Sequence, residues 1–447
     1  MIAAALAAPL LRQIGSIDAR AAAPAIPDRR AGAQLVWAID QLNGGYTTLA
    51  LDDVASRFAP LFLSGLPPQG VINTFAYLAP LMAPVSAARF EGGVTDQHAN
   101  ALLKTKDGYW RIRLGLDFTE PYQINDFFLE EVALPVPPER PRSWAGIDSR
   151  FKSIAPTAAY IAAEITDGEL RIISQNNAGA RMPITSSFKL YVLGTIAKQV
   201  ASGTLTWDTR ITISDDLRSL PSGDLRYVAA GEQFPLEYVV ERMISQSDNT
   251  ATDHLIHAVG RENVEAMLAT MGSSEPDKNI PLLYTREWFA MRMRFTTDQI
   301  GDYLAASVSE RRAILKDEVD PIAATLTEDE FWPGPAESDR MEWFATAGDL
   351  SRAVAYLQPY AASSEMQPVA NAFSLNPGVV YPPDDWAFVG FKEGYETGLK
   401  VLIWLLQRTD GRWFTLIGMI HDQTQEINGP GLKTLMDAAV TLLAKAD

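Results

Sequence analysis

Pro183-Ile184-Thr185-Ser186-Ser187-Phe188-Lys189-Leu190-Tyr191-Val192-Leu193 is the stretch that decides the reading of this 447-residue chain. It is apolar on nearly every face, so it reads as the start of a buried helix rather than a solvated amphipathic one. Ser186 and Lys189 stand at i and i+3, a spacing that faces both the same way on a helix. Lys189 is the only charge in these first turns. A lysine desolvated there loses affinity for its proton, and the neutral amine can take the proton of Ser186. The helix N-terminus favours negative charge developing at the same place. The pair is a candidate self-activating nucleophile.

Composition narrows the alternatives. At 447 residues two or three domains are expected rather than one core. A content of 47% hydrophobic and 21% charged residues is that of a folded globular protein. The formal charge is −17, from 38 basic and 55 acidic residues, with no basic run. Neither nucleic acid nor an anionic membrane surface is expected as a partner. The absence of cysteine excludes disulfides, thiol catalysis and cysteine metal sites. Of the four histidines (His98, His254, His257 and His421), His254 and His257 are spaced i, i+3 on a predicted helix. That spacing is open to a metal pair or to a structural role, but no His-Glu-x-x-His pattern surrounds it. The chain carries no Gly-x-Ser-x-Gly elbow and no phosphate-cradling Gly-x-x-x-x-Gly-Lys loop. No metal and no cofactor is expected. Residues 1–26 read as a signal-like segment, with an apolar run from Ile2 to Leu11 and small residues at Ala19-Arg20-Ala21-Ala22-Ala23. No positive residue precedes the run, and it is too short to span a bilayer. The expected location is periplasmic or secreted, with the cytoplasm as the alternative.

A proline-rich break, Pro135-Val136-Pro137-Pro138-Glu139-Arg140-Pro141-Arg142, divides the chain. Prolines at this density cannot continue a helix or a central strand, so residues 135–147 read as a linker. Residues 27–134 read as helices (31–42, 52–58 and 69–78) followed by strands (85–90, 98–104, 109–118 and 124–133). Asp107-Gly108 supplies a hairpin turn. This order of elements resembles the cone-shaped α+β fold of NTF2-like and steroid-isomerase-like domains. Tyr109, Trp110, Phe118, Tyr122, Phe127 and Phe128 either line such a cone or pack its core. Asp117 and Asp126 are candidate bases within it. After the linker, residues 148–447 read as two strands (157–165 and 169–174), a long helical region from Ser186 to about Met271, strands 386–394, 400–407 and 413–421, and a last helix over 430–445. Strands from both ends of this domain, with helices between, predict one antiparallel sheet covered by helices.

Three short motifs occur in order: Ser186-x-x-Lys189, Ser247-Asp248-Asn249 between two helical patterns, and Lys392-Glu393-Gly394 at the end of a predicted strand. Ser-x-x-Lys alone carries little, since roughly one is expected by chance in such a chain. Ser149-Arg150-Phe151-Lys152 also matches, beside the linker, where no buried helix is expected. Together the three motifs resemble the class A β-lactamase and penicillin-recognising serine hydrolase family. The best-matching blocks are 183–190 and Met243-Ile244-Ser245-Gln246-Ser247-Asp248-Asn249-Thr250-Ala251-Thr252; Gly203-Thr204-Leu205-Thr206-Trp207-Asp208 matches in character. The resemblance covers about two thirds of the chain and implies a β-lactamase/transpeptidase-like α+β domain. With its N-terminal domain, the chain is similar to the β-lactamase-like serine hydrolases of the clavulanic-acid gene cluster.

The resemblance implies Ser186 as acylated nucleophile, Lys189 as its base and Ser247 as proton relay. It implies Asn249 as the residue that orients Lys189 and bonds a substrate amide, and Lys392 as the cation that polarises Ser247. Gly394 and Tyr395 would bind substrate, with the N–H groups of Ser186 and Tyr395 as oxyanion donors. Two departures matter. Glu393 stands where the family has threonine or serine, whose hydroxyl helps to bind a β-lactam carboxylate, so a glutamate that faces the cleft would repel that group. The water-activating glutamate has two candidates, Glu275 in Glu275-Pro276-Asp277-Lys278-Asn279, which arrives several residues too soon after Met271-Gly272 to fill the same loop, and Glu287; surface or capping roles are the favoured reading for both. An aromatic insert, Phe331-Trp332-Pro333-Gly334-Pro335, either lines the cleft or packs as a loop. The expected activity is an acyl-enzyme hydrolase of a small ester, amide or β-lactam. A peptidoglycan D,D-peptidase and a non-catalytic ligand-binding pseudoenzyme are the alternatives.

Overall fold

The structure is a computed structural model and describes residues 24–90, 94–117, 120–132, 141–220, 222–327, 337–376, 378, 385–424 and 427–446. Expectations for the signal-like segment 1–23, Phe118, most of the linker and the 331–335 insert lie outside the described residues. The chain divides into two compact units, Met1–Glu139 and Arg140–Asp447.

In the first unit, helices α1 (Arg30–Leu42), α2 (Leu51–Arg57), α3 (Pro60–Gly65) and α4 (Pro68–Met82) precede four strands. These are β1 (Ser86–Phe90), β2 (His98–Lys104), β3 (Tyr109–Leu116) and β4 (Ile124–Val132), antiparallel in sequence order. Thr105 N–H bonds Gly108 O at 2.9 Å and closes the expected hairpin between β2 and β3. The alternate residues Ala99, Ala101 and Leu103 on β2, with Ile112 and Leu114 on β3, point into one core against Leu35, Phe58 and Phe75 of the helices. Phe127 packs edge-on against Phe58 and Phe75, at 5.9 and 5.8 Å between ring centres, which makes it a core residue. Phe128 lies under Arg113 and Tyr122 under Arg30, Tyr109 is half-buried, and Trp110 packs at the margin of the core. Neither candidate base is idle. Asp126 is ion-paired with Arg113 at 2.6 Å, and Asp117 accepts a hydrogen bond from Asn125 at 2.8 Å.

The second unit opens with helix α5 (Trp144–Ile154), so residues 144–147 of the expected linker are helical. The second Ser-x-x-Lys match therefore sits on a helix after all, because Ile147 and Phe151 give that segment a buried stripe. Its Ser149 is exposed, and Lys152 pairs with Asp148 at 2.7 Å in solvent, so it lacks the burial that the chemistry needs.

The main sheet has the order β11-β12-β13-β5-β6, antiparallel throughout. Its strands are β5 (Thr157–Thr166), β6 (Glu169–Asn176), β11 (Trp386–Glu396), β12 (Leu399–Arg408) and β13 (Trp413–His421). Between them come the short pairs β7 (Met182–Pro183) with β10 (Phe344–Ala345) and β8 (Arg210–Thr212) with β9 (Gln233–Pro235). Helix α6 (Lys189–Ala201) follows β7; α7 (Leu236–Ser245), α8 (Asn249–Val259) and α9 (Arg261–Thr270) follow β9. Next are α10 (Thr285–Arg294), α11 (Thr297–Ala305), α12 (Val308–Ile314) and α13 (Asp320–Ala323). The last helices are α14 (Ala347–Ala362), α15 (Gln367–Ser374) and α16 (Gly429–Leu443). One face of the sheet is covered by α5 and α16, whose Leu432, Leu435, Met436, Ala439 and Leu443 form one apolar stripe. The other face carries α14.

The continuous helical region expected over 186–271 is broken. Gly203, Gly223 and Gly231 take positive φ angles, and residues 202–235 form turns and the β8–β9 pair. That interruption has a function in the fold: its loop lies against the Ser247-Asp248-Asn249 turn.

Candidate active site

Ser186 does not sit in an α-helix proper. Residues Thr185–Phe188 form a single 3₁₀ turn, and α6 begins at Lys189. In a 3₁₀ turn positions i and i+3 eclipse, so Ser186 and Lys189 still share a side. Ser186 is half-buried, whereas Lys189 is 0% exposed. The turn is held from two sides. Ile184 N–H bonds Trp343 O at 2.8 Å, and Trp343 stacks on Phe188 with ring centres 4.0 Å apart. On the other side β11 presses so close that a Cβ on Gly394 would lie 2.4 Å from Ile184 O and from Thr185 Oγ1. Only glycine fits there, which gives the third motif's glycine its physical reason.

Ser247 joins α7 to α8 in the left-handed region, at φ +57°. For a non-glycine residue this conformation costs about 1–3 kcal/mol. It turns the Ser247 carbonyl onto Lys189 Nζ, at 2.6 Å, and onto the Ser222 hydroxyl, at 2.7 Å. The Asp248 carboxylate is committed to backbone N–H groups. It caps α8 by accepting from Ala251 N–H and ties down the preceding loop by accepting from Leu225 N–H. Gly223 approaches Asp248 so closely, at φ +93°, that no side chain could stand there.

Lys189 Nζ is within 3.1 Å of Ser247 Oγ and 2.7 Å of Asn249 Oδ1. Lys392 Nζ reaches the same Ser247 Oγ at 3.0 Å and the Glu393 carbonyl at 2.6 Å. Two buried lysines thus bracket one serine hydroxyl. Burial, and then the charge of Lys392, hold the Lys189 ammonium well below its ordinary proton affinity. Burial pushes Lys392 down to about 8, opposed by the charge of Glu393. A neutral Lys189 has two N–H groups for the Ser247 carbonyl and Asn249 Oδ1, and one lone pair for a proton.

Asn249 donates one Nδ2 hydrogen to Leu220 O at 2.6 Å and has a second left for a ligand. Tyr395 is 64% exposed at the end of β11, an edge strand. The Glu393 side chain faces away from Lys392, as strand alternation requires, and pairs with Lys400 at 3.3 Å.

The two candidate deacylating glutamates are not brought to this cluster. Glu287 caps α10, accepting from Tyr284 N–H at 2.8 Å, and its other oxygen holds Arg261 at 2.6 Å. Glu275 is half-exposed and pairs with Arg181 at 3.6 Å. His254 is structural. Its Nε2 accepts from Ser214 N–H and its Nδ1 bonds Thr250 O, which leaves no nitrogen for a metal. No group of metal-ligating side chains occurs among the described residues. No helix among them is long and apolar enough to cross a membrane.

Sequence reading missed the supporting layer. Asp253 accepts from Thr285 N–H, Thr285 Oγ1 and Arg286 N–H, fastening α10 to α8 behind Asn249. Burial nonetheless raises its carboxyl to about 7. Ser222 and Trp343 were also missed. Asp253, the only acidic residue in α8, was the one available signal.

A family model described as "Beta-lactamase enzyme family" matches residues 147–305, a span that holds Ser186, Lys189, Ser247 and Asn249. No curated protein matches the chain. Among solved structures, a β-lactamase from Sphaerobacter thermophilus is 18% identical, with 68% of this chain and 98% of that one covered at a TM-score of 0.46. A β-lactamase from Chitinophaga pinensis is 16% identical, with 68% and 97% covered at 0.45. The protein PBP-A is 17% identical, with 70% and 100% covered at 0.42. The family match over residues 147–305, with the antiparallel sheet covered by helices, supports a β-lactamase-like fold for the Arg140–Asp447 unit.

Proposed function

We propose that this protein is a serine hydrolase that works through an acyl-enzyme on Ser186, with a small ester or amide as substrate. The observation that carries this reading is the placement of the Ser247 hydroxyl between the buried amines of Lys189 and Lys392, at 3.1 and 3.0 Å. Ser186 Oγ attacks the carbonyl carbon while its proton passes to neutral Lys189. The N–H groups of Ser186 and Tyr395 receive the developing oxyanion. Ser247 gives its proton to the leaving group as the C–O or C–N bond breaks, and is reprotonated from Lys189. Water then releases the acid and frees Ser186. Glu275 and Glu287 are committed elsewhere, so among the described residues neither is placed as the water-activating carboxylate, and in this reading acyl-enzyme accumulates. An esterase, or a β-lactamase of slow turnover, is the resulting activity.

The first unit's helices-then-sheet order supports a cone of the NTF2-like or steroid-isomerase-like kind, and with it kinship to the hydrolases of the clavulanic-acid cluster. We assign the protein to the periplasm or the exterior, on the signal-like composition of residues 1–26.

The test is intact-protein mass spectrometry after exposure to a penicillin, a cephalosporin and an activated ester, on wild type and Ser186→Ala. The expected result is a long-lived adduct on wild type alone. Folded wild type that takes no adduct from any probe would overturn the reading.

A further inference from the structure

The main sheet has two edges. One is β11, which carries Lys392; the other is β6, and it borders a cavity of about 940 Å³ that none of the Ser186, Lys189, Ser247, Asn249 and Lys392 side chains lines. Asp167 and Gly168, both at positive φ, make a two-residue hairpin between β5 and β6. In such a hairpin Thr166 and Glu169 exchange backbone bonds, as do Glu164 and Arg171, so Leu170 and Ile172 turn their N–H and C=O groups outward. Those four groups have no partner among the described residues. The side chains of Leu170 and Ile172 share one face of β6 and line the cavity, and Ile172 is 50% exposed. Arg171 points to the opposite face, where its Nε holds Glu164 at 2.9 Å, and leaves the edge open. The facing wall is a stripe of α14, Ala355, Tyr356, Pro359 and Tyr360, with the two tyrosine rings 5.8 Å apart. Arg352 closes the trough against the turn at Gly272, whose carbonyl it bonds at 2.7 Å. Glu169, at the hairpin end, is exposed and has no ion pair among the described residues.

We propose that this trough docks an extended segment of a partner protein as a sixth strand beside β6, apolar at every second residue and basic where it passes Glu169. The inference is independent of the acyl-enzyme reading. Three features select an extended chain. The outward N–H and C=O groups of Leu170 and Ile172 are the hydrogen-bonding template of a strand, and they give affinity without regard to sequence. The apolar trough between Ile172 and the α14 stripe lies on one face of that added strand, so it takes alternate side chains and leaves the others in solvent. The free carboxylate of Glu169, on a chain of formal charge −17, selects a cation at that end.

The experiment uses the full chain and a labelled peptide, acetyl-Lys-Val-Thr-Val-Thr-Val-Lys-amide, whose palindromic order suits either strand direction. Fluorescence anisotropy reads its binding at low salt, and amide hydrogen exchange reads Leu170 and Ile172. The expected result is saturable binding that slows exchange at both amides. N-methylation of the valines in one peptide, and of the threonines in another, caps one strand edge at a time. One of the two is expected to bind roughly tenfold or more weakly than the parent, because it loses the backbone bonds to β6. The same peptide with glutamate at both ends should bind roughly fivefold more weakly than the lysine form, and Glu169→Lys should reverse that order. Because the reversal is a ratio between two peptides on one folded variant, a general loss of affinity does not mimic it. No saturable binding by the parent, two N-methylated peptides that both bind as the parent does, or a charge order unmoved by Glu169→Lys would each overturn the proposal. So would slow exchange at Leu170 and Ile172 before any peptide is added, which gives the edge to the chain itself. A dimer in sedimentation that Ile172→Lys separates would assign it to a second copy instead, and overturn the proposal too.

Discussion

At the scale of single residues, the site is a set of strained or desolvated groups that hold one another in place. Ser247 is the clearest case, because its φ of +57° is tolerable for glycine and strained for serine. Ser247→Gly is expected to unfold in urea within about 1 kcal/mol of wild type, while Ser247→Ala, which keeps the strain and loses the hydroxyl, unfolds earlier. Both should slow acylation by roughly a hundredfold or more, the typical share of a positioned proton carrier. The lysines set the pH profile. In the proposed mechanism Lys189 acts as a neutral amine and Lys392 as an ammonium, so acylation should rise with pH as the first loses its proton and fall through about pH 8 as the second does. Lys392→Arg should move the alkaline limb to higher pH, because guanidinium keeps its proton. For stability, the folded protein holds the Lys392 proton less tightly than the unfolded chain, whose ordinary value is 10.5. Its destabilising contribution is present in full below about pH 8 and is relieved as pH rises from there towards 10.5. The cluster of Lys189, Ser247, Asn249 and Lys392 was legible in the sequence because three short motifs stood in order. The partners Ser222, Trp343 and Asp253 were not, since each acts across a contact that no local spacing announces.

At the scale of elements, the nucleophile turn depends on the segment 341–345 and on the end of β11. Glu342, 6% exposed, lies beside Trp343 on that segment, and Glu396 ends β11. Both face Arg292 of α10, which is 3.7 Å from Glu396. Burial, and then the charge of Glu396, holds the Glu342 carboxyl well above the usual carboxylate range. A raised carboxyl stabilises fully below its unfolded value of 4.5, and that contribution is lost as pH rises towards the folded value. Glu342→Gln should therefore match wild type in urea near pH 4 and exceed it at higher pH, by up to about 1.4 kcal/mol per pH unit over the window. A difference that is constant with pH would show that Glu342 is ionised in the fold. The elements themselves were read well where period and turn agreed, as in β2, β13 and α16. They were misread over 202–235, where apolar residues between turns passed for helix, although Gly203, Gly223 and Gly231 marked the breaks.

At the scale of the whole molecule, the Met1–Glu139 and Arg140–Asp447 units each have a hydrophobic core of their own, and every residue of the candidate site belongs to the second. A chain beginning at Arg140 is expected to take the acyl adduct at a rate within about threefold of the full protein, as a self-contained domain should. A much larger loss would assign part of the activity to Met1–Glu139. The sequence by itself determined the order of elements in Met1–Glu139, the strands of the main sheet and the placing of Ser186 one turn before Lys189, because hydrophobic period and i, i+3 spacing act within a short span of chain. Only the tertiary structure decided that Lys392 and Lys189 share Ser247, that Glu287 caps a helix and that Glu393 answers Lys400. Those contacts join residues up to 145 positions apart, and burial rather than spacing sets their proton affinities.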